Sequence, residues 1–191
     1  MLLCYTKQME RKTALVEGEF YHLYNRGVDK RSIFMTAHDY RRFMALLYLA
    51  NDRADIRVGN ILKSTAYADI FTRGQEEPLV AIGSFCLMPN HFHILATPLS
   101  EKGIPQFMHK LQTGHSMYFN TKNERSGSLF QGPYKSSHAD TDQYLKFLFS
   151  YIHESSKDCP CYLCQVPEKA RRVRRVLSAI ARSRPKERCL R

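Results

Sequence analysis

"CLMPNHFHIL", residues Cys86 to Leu95, decides the architecture. It lies in an apolar stretch from Leu79 to Thr97 that is rich in β-branched and aromatic residues and is interrupted only at Pro89-Asn90. Two short strands joined by a bend fit that pattern better than one helix. On a strand, residues two apart share a face, so His91 and His93 project together while Phe92 and Ile94 turn to the core.

Working outward, "FYHLYNRG" (Phe20 to Gly27) alternates and is aromatic, which predicts a strand ending at Gly27. Thr36 and Asp39 in "TAHD" stand three apart in the pattern of a capping box. Tyr40, Phe43, Leu46, Leu47 and Ala50 continue at helical spacing, so an amphipathic helix is expected to about residue 51. Residues 52–78 show no clear period. "IRVGNIL" reads as a short strand and "TRGQEEP" as an exposed loop. Ile104, Met108, Leu111, His115 and Tyr118 predict a second helix over 104–120. "SGSLFQGPYKSSH" is turn-rich around a short strand. A third helix opens on Asp140 or Thr141 as N-cap and buries Tyr144, Leu145, Leu148 and Ile152. It carries Tyr151.

A chain of 191 residues with 43% hydrophobic and 25% charged residues has globular composition and room for one domain with a tail. The expected division is an N-terminal extension over 1–17, a domain over 18–156, and a Cys-containing linker with a basic tail over 157–191. No stretch approaches the roughly 20 apolar residues of a membrane helix, and the N-terminus lacks the run of a signal peptide. A soluble, cytoplasmic protein with no membrane partner is the expectation.

The net charge of +11 is unevenly placed. From Lys169 to Arg191 ten Lys or Arg face one acidic residue, Glu187, which puts +9 in the tail and leaves about +2 over 1–168. Ala170, Val173, Val176, Leu177 and Ile180 recur there at helical spacing, the pattern of a basic amphipathic helix for a nucleic acid, a partner or a membrane surface. Of six cysteines, Cys159, Cys161 and Cys164 cluster as C-x-C-x2-C. Zinc is one reading of that cluster, although a fourth ligand is not evident; free thiols in a reducing compartment are the other.

Two imidazoles on one strand face can close on a divalent ion and leave positions open for substrate oxygens. An ordinary pair of half-exposed strand histidines fits the same spacing. Tyr151 likewise has two readings, one more packed aromatic on a helix or a nucleophile.

"YHLYNRGVDKRSIF", "CLMPNHFHIL", "SGSLFQG" and "YLKFLFSYIHE" follow one another in an order and spacing that resembles the REP-associated tyrosine transposases, relatives of the single-tyrosine transposases of the smallest bacterial insertion sequences. The resemblance covers about residues 18–155. It implies an α+β fold, a ferredoxin-like αβ sandwich with an antiparallel sheet and helices packed on it, and a homodimer. The implied enzyme cuts and rejoins single-stranded DNA beside a hairpin, with no nucleotide cofactor. His91 and His93 match the family's His-hydrophobic-His motif, which holds Mg2+ or Mn2+, and Tyr151 matches its nucleophile. A phenol titrates near 10, so attack on a phosphodiester needs a base or nearby cation. The implied products are a 5′-phosphotyrosine link and a free 3′-OH. That bond keeps the phosphodiester's energy, so rejoining needs no ATP.

Three positions depart from the family pattern. The residue one turn after the tyrosine, usually Asn, Gln or His as third metal ligand, is Ser155; Glu154 is a possible substitute. Pro133 stands where relatives often carry Arg, and the chain beyond Ser155 replaces the usual Asn-Pro exit. A non-catalytic DNA-hairpin binder, a degenerate or frame-altered copy, and a zinc-stabilised adaptor built on the cysteine cluster are therefore alternatives. Arg26, Lys30, Arg31, Lys110, Lys122, Arg125 and Lys135 are candidates for phosphate contacts, with a solvated surface as the other reading of each. Asn25 and Gln131 are candidates for reading bases or capping turns, and Tyr21, Tyr24, Phe130 and Tyr134 for stacking on unpaired bases or packing in the core.

Overall fold

A computed structural model describes residues 15–54 and 58–155, with side chains to residue 152. In chain order these form β1 (Tyr21–Arg26), α1 (Ala37–Leu49), α2 (Val58–Ser64), α3 (Tyr67–Ile70), β2 (Val80–Met88), β3 (His91–Pro98), α4 (Gly103–Lys122), β4 (Lys135–His138) and α5 (Asp142–Ser155). The cysteine cluster and the basic tail lie outside the described residues.

The four strands form one antiparallel sheet in the order β2-β3-β1-β4. With α1 between β1 and β2 and α4 between β3 and β4, this is the βαββαβ arrangement of the ferredoxin-like sandwich. The Pro-Asn bend falls where the sequence puts it, between β2 and β3. Leu23, Leu87, Phe92, Ile94 and Ala96 pack from one sheet face against Phe43, Leu46, Phe107 and Leu111 of α1 and α4. The opposite face is covered by α5, whose Leu148 and Ile152 meet Phe20, Cys86 and Leu95. Both faces of the sheet are therefore shielded, and the histidine face is roofed by a helix.

A bulge in β2 between Ile82 and Ser84 sets this arrangement. One extra residue, Gly83, reverses the alternation, so Ile82 and Phe85 both belong to the α1/α4 side while Cys86 and Met88 stand beside His93 and His91. At the end of β1, Gly27 is required by close approach: a Cβ there would lie 2.3 Å from the Arg31 carbonyl oxygen.

The strand expected within "IRVGNIL" is instead the helix α2 with α3 after it. Val58, Ile61 and Leu62 are spaced three and four apart, and together with Tyr48, Tyr67 and Phe71 they cover Ala45, Leu49 and Ile70. Helical spacing gives them one contact face against α1, which alternation would not.

Asp39 holds the start of α1 to the end of α4. It is fully buried. Its Oδ2 accepts from the backbone N–H groups of Met35 and Thr36, and its Oδ1 from Tyr118 Oη and Lys122 Nζ, each at 2.6 Å. Burial favours the neutral acid, but the hydrogen bonds from Lys122, Tyr118, Met35 and Thr36 together outweigh it and hold the carboxyl well below its usual range. Stability from ionised Asp39 is complete above the unfolded carboxyl's pKa near 4 and is lost as pH falls toward the depressed folded value. Asp39→Asn is expected to lose about 2–4 kcal/mol at pH 7 by urea unfolding. The gap to wild type should narrow below about pH 4.

His115 of α4 is 1% exposed among Phe34, Phe43 and Phe119, and its Nε2–H donates to the Ile33 carbonyl at 2.9 Å. Burial pushes its pKa down to about 4, so it is neutral in the folded protein at pH 7. Unfolded His115 takes up a proton near pH 6.5, which favours unfolding as pH falls from there toward 4. Relative to His115→Gln, wild type should lose up to about 3 kcal/mol across that window. Paired urea melts at pH 7 and pH 4.5 read the difference.

Candidate functional site

The histidine pair takes its place from the register of β3 against its neighbours. His93 stands opposite Tyr24 of β1 and Cys86 of β2, and His91 opposite Arg26 and Met88. Paired residues in antiparallel strands share a face, so His91, His93, Tyr24 and Arg26 all project toward the α5 side. The two imidazole rings lie 5.0 Å apart at 88°. Phe92 and Ile94, between and after them, are fully buried on the other face.

A side-chain partner selects the tautomer of His91. Asn90 donates its Nδ2 to the Lys30 carbonyl, so its Oδ1 is the acceptor, 2.6 Å from His91 Nδ1. His91 is thereby protonated on Nδ1 and turns a lone pair outward on Nε2. His93 Nδ1 lies 2.8 Å from His22 Nε2, and the two rings stack at 5.0 Å. Burial, then the Arg26 charge, lowers the pKa of His91. Burial, with His22 and His91 as lesser contributors, pushes His93 down to about 4. Both are neutral at pH 7, the state in which imidazole binds a metal.

His22 carried no motif signal. Its alternation with Tyr24 on β1 places it on the histidine face, but that was readable only with the β1/β3 register in hand.

Tyr151 stands on α5 above this pair. Thr141 Oγ1 caps the helix by accepting from Tyr144 N–H at 3.2 Å, and Leu148 and Ile152 dock it on the sheet. Leu148 and Tyr151 sit nearly one turn apart, so docking the former brings the latter to the helix edge facing β3. The Tyr151 ring is 5.8 Å from that of His93 and 44% exposed. Between α5 and the sheet runs a cleft of about 330 Å3 lined by His22, Tyr24, His93, Ser137, Phe147 and Tyr151, among others. A larger, open depression of about 600 Å3 at the far end of α4, around Met117, Asn120 and Arg125, has none of these rings.

Among the described residues no group of three or more His, Cys, Asp or Glu is placed to hold a metal. The two neutral imidazoles fit a divalent ion as partial ligands. Glu154 and Ser155 lie in the last turn of α5, and their side chains are outside the described ones. Also among the described residues, no helix is long and apolar enough to cross a membrane.

The other sequence candidates divide by layer. Arg26 is exposed on the histidine face, with Nε bonded to Gln131 Oε1. Lys135, opposite Tyr24 on β4, is exposed on the same face. Lys30 and Arg31 lie on the exposed loop after β1, where Asp29 and Lys30 hold φ of 53° and 58°. That backbone is uncommon for non-glycine residues.

Lys110, Lys122 and Arg125 belong to α4 or its end, in the layer beyond the opposite sheet face. Lys110 Nζ donates to the carbonyls of Asp52, Arg53 and Ala54, Lys122 is the partner of Asp39, and Arg125 Nη1 donates to Asn120. Asn25 is 5% exposed, donates to the Gly132 carbonyl and accepts from Arg26 N–H, so turn capping is its observed role. Tyr21 and Phe130 are core, Tyr134 packs on that core, and Tyr24 lines the cleft.

No curated protein matches the chain. Solved structures similar to it include a REP-associated tyrosine transposase bound to a REP hairpin, at 10% identity, TM-score 0.48, covering 80% of this chain and 74% of that one, and a Deinococcus radiodurans protein assigned as a transposase, at 17% identity, TM-score 0.31, covering 77% and 98%. The family described as "Transposase IS200 like" matches residues 40–155, well over half of the chain and all of β2, β3, α4, β4 and α5. With the histidine pair and the helix-borne tyrosine inside the matched span, the chain belongs to the IS200-like transposases.

Proposed function

We propose that the protein cleaves and rejoins single-stranded DNA beside a hairpin, with Tyr151 as nucleophile. The observation that carries this reading is the 5.8 Å approach of the exposed Tyr151 ring to His93 across an open cleft. The phenolic oxygen bonds to phosphorus, the bond from phosphorus to O3′ breaks, and a 5′-phosphotyrosine remains. The phenolic proton passes to water, and the departing O3′ takes up a proton to become a free 3′-OH. Rejoining reverses these steps, so the energy of the broken bond is retained and no nucleotide is consumed.

His91 and His93 would hold Mg2+ or Mn2+ through Nε2, with Glu154 or Ser155, on the turn that follows Tyr151, as third ligand. When bound, the cation supplies positive charge beside the scissile phosphate and the leaving oxygen. His22 acts through His93 as a positioning residue: its Nε2 accepts from His93 Nδ1–H and keeps the other nitrogen available, as carboxylate or carbonyl partners do for other metal-binding histidines. Arg26, Gln131 and Lys135, with Lys30 and Arg31 on the neighbouring loop, take the phosphates of the strand approaching this face. Residues 18–156 are the catalytic domain in this reading, 1–17 and 157–191 are additions to it, and the working form is a homodimer.

Incubation with single-stranded hairpin DNA and Mn2+ should give a protein-DNA adduct that survives denaturation. Tyr151→Phe should abolish it, His91→Ala should reduce it at least about 100-fold, and chelation should suppress it. Tight DNA binding with no adduct under any divalent metal would identify a hairpin binder instead.

His22→Phe should weaken Mn2+ binding, followed by electron paramagnetic resonance without DNA, by about 10- to 100-fold. His22→Gln, which keeps an acceptor, should lose less. Equal affinity in all three proteins would remove the positioning role.

A further inference from the structure

The cleft extends past the reacting groups, and its walls there are aromatic. Along α5, Tyr144, Phe147 and Tyr151 follow at spacings of three and four, which places them on one side of the helix. Their rings run nearly parallel: Tyr144 and Phe147 are 6.4 Å apart at 14°, and Phe147 and Tyr151 6.1 Å apart at 19°. Across the cleft, Tyr24 stacks on His22 at 5.0 Å. Phe147 is 60% exposed, although Leu148 beside it is buried against the sheet. A large apolar ring left in water beside the nucleophile calls for an occupant.

The cleft's volume of about 330 Å3 is at the small end of ligand sites. It suits a flat group rather than a helix or a strand with side chains. Ser137 on β4 and His22 on β1 offer polar atoms to that group's edge, and Lys135, two residues before Ser137 on the same strand face, stands at the rim for a phosphate. Flat faces, polar edge partners and a cation at the rim describe a nucleotide. Aromatic side chains hold unpaired bases by stacking, with little dependence on sequence.

We infer that this cleft is a stacking subsite for one unpaired nucleobase of the DNA strand adjoining the scissile phosphate, with Phe147 as its main platform and Tyr24 facing it. The inference rests on the proposed single-strand reaction and adds a determinant of where the strand is held. A base seated there draws its neighbouring phosphodiester toward Tyr151 and fixes the strand's position independently of hairpin contacts. An enzyme that aligns the phosphate in this way needs only backbone contacts elsewhere.

The test uses the full chain and hairpin DNA with a single-stranded flank, in which one nucleotide at a time is made abasic. Binding is measured by fluorescence anisotropy at fixed salt, without divalent metal so that no cleavage intervenes. Wild type should show one flank position whose base is worth about 10-fold in affinity, within the range for aromatic stacking. Phe147→Ala should weaken intact DNA by a similar factor and erase the difference between intact and abasic DNA at that position. Phe147→Trp should restore both.

Phe147 is exposed, so these variants should melt with wild type, and a matched melt separates lost stacking from lost fold. A scan with no sensitive position, or a sensitivity that Phe147→Ala leaves unchanged, overturns the subsite and points to another occupant such as a second copy of the chain. Failure of the adduct assay with a positive scan would instead sink the cleavage reading and leave the base site standing.

Discussion

The pairing of β1 with β3 is the constraint on which the site depends. Register puts Tyr24 opposite His93 and Arg26 opposite His91, and it leaves His22 one step along, within hydrogen-bond distance of His93. Side chains alternate between faces at every residue, so a slip of one position would send His22 and Tyr24 into the α1/α4 core and bring Leu23 beside the imidazoles. The register is protected by what each face buries. Leu23 is fully enclosed on the side of Phe92 and Ile94, and a slip would remove it from that core and put His22 and Tyr24 in its place. Core packing on one face thus fixes polar geometry on the other.

The second requirement is the roof. Without α5 the histidine face would be an open sheet surface. Leu148 and Ile152 seat the helix on Cys86 and Leu95, and burial, with His22 and His91 as lesser contributors, holds His93 down to about 4. The same contact sets the height of Tyr151 above the pair. One apolar seam therefore bears on two chemical properties at once: the burial of the imidazoles and the position of the phenol. The bulge at Gly83 belongs to this logic, since without it Cys86 would face away from α5.

Much of this was legible in the sequence because it rests on local periodicity. The bend at Pro89-Asn90, the Thr36/Asp39 start of α1, the stripe of α4 and the cap of α5 are each written within a few residues. Alternation alone put His91 and His93 on one face with Phe92 and Ile94 on the other. What local pattern does not contain is which strand lies beside which. His22 and Ser137 reach the cleft through pairings about 70 and 115 residues away in sequence, which no window of the chain displays. In the sequence alone α2 resembles a strand, because Val58, Ile61 and Leu62 are too few to fix a period without α1 to pack against. Charge was the poorest guide: Lys110 and Lys122 are cations by type, yet each is spent on the fold, one on three carbonyls and the other on Asp39.

The division of labour between the two helical layers follows from that last point. On the α1/α4 side a set of inward-facing polar groups is hydrogen-bonded within the fold: Asp39 with its four donors, His115 Nε2 with Ile33, Asn51 with Leu79 and Val80. Such groups specify the fold because any other packing leaves them unpaired in a low dielectric. On the α5 side the polar and aromatic groups point into an open cleft, and Phe147 and Tyr151 stay in water at a cost in apolar exposure. A sheet whose two faces differed only in stability would close both. One face holds the framework rigid, while the other keeps imidazole, phenol and aromatic surface available to something that arrives from solution.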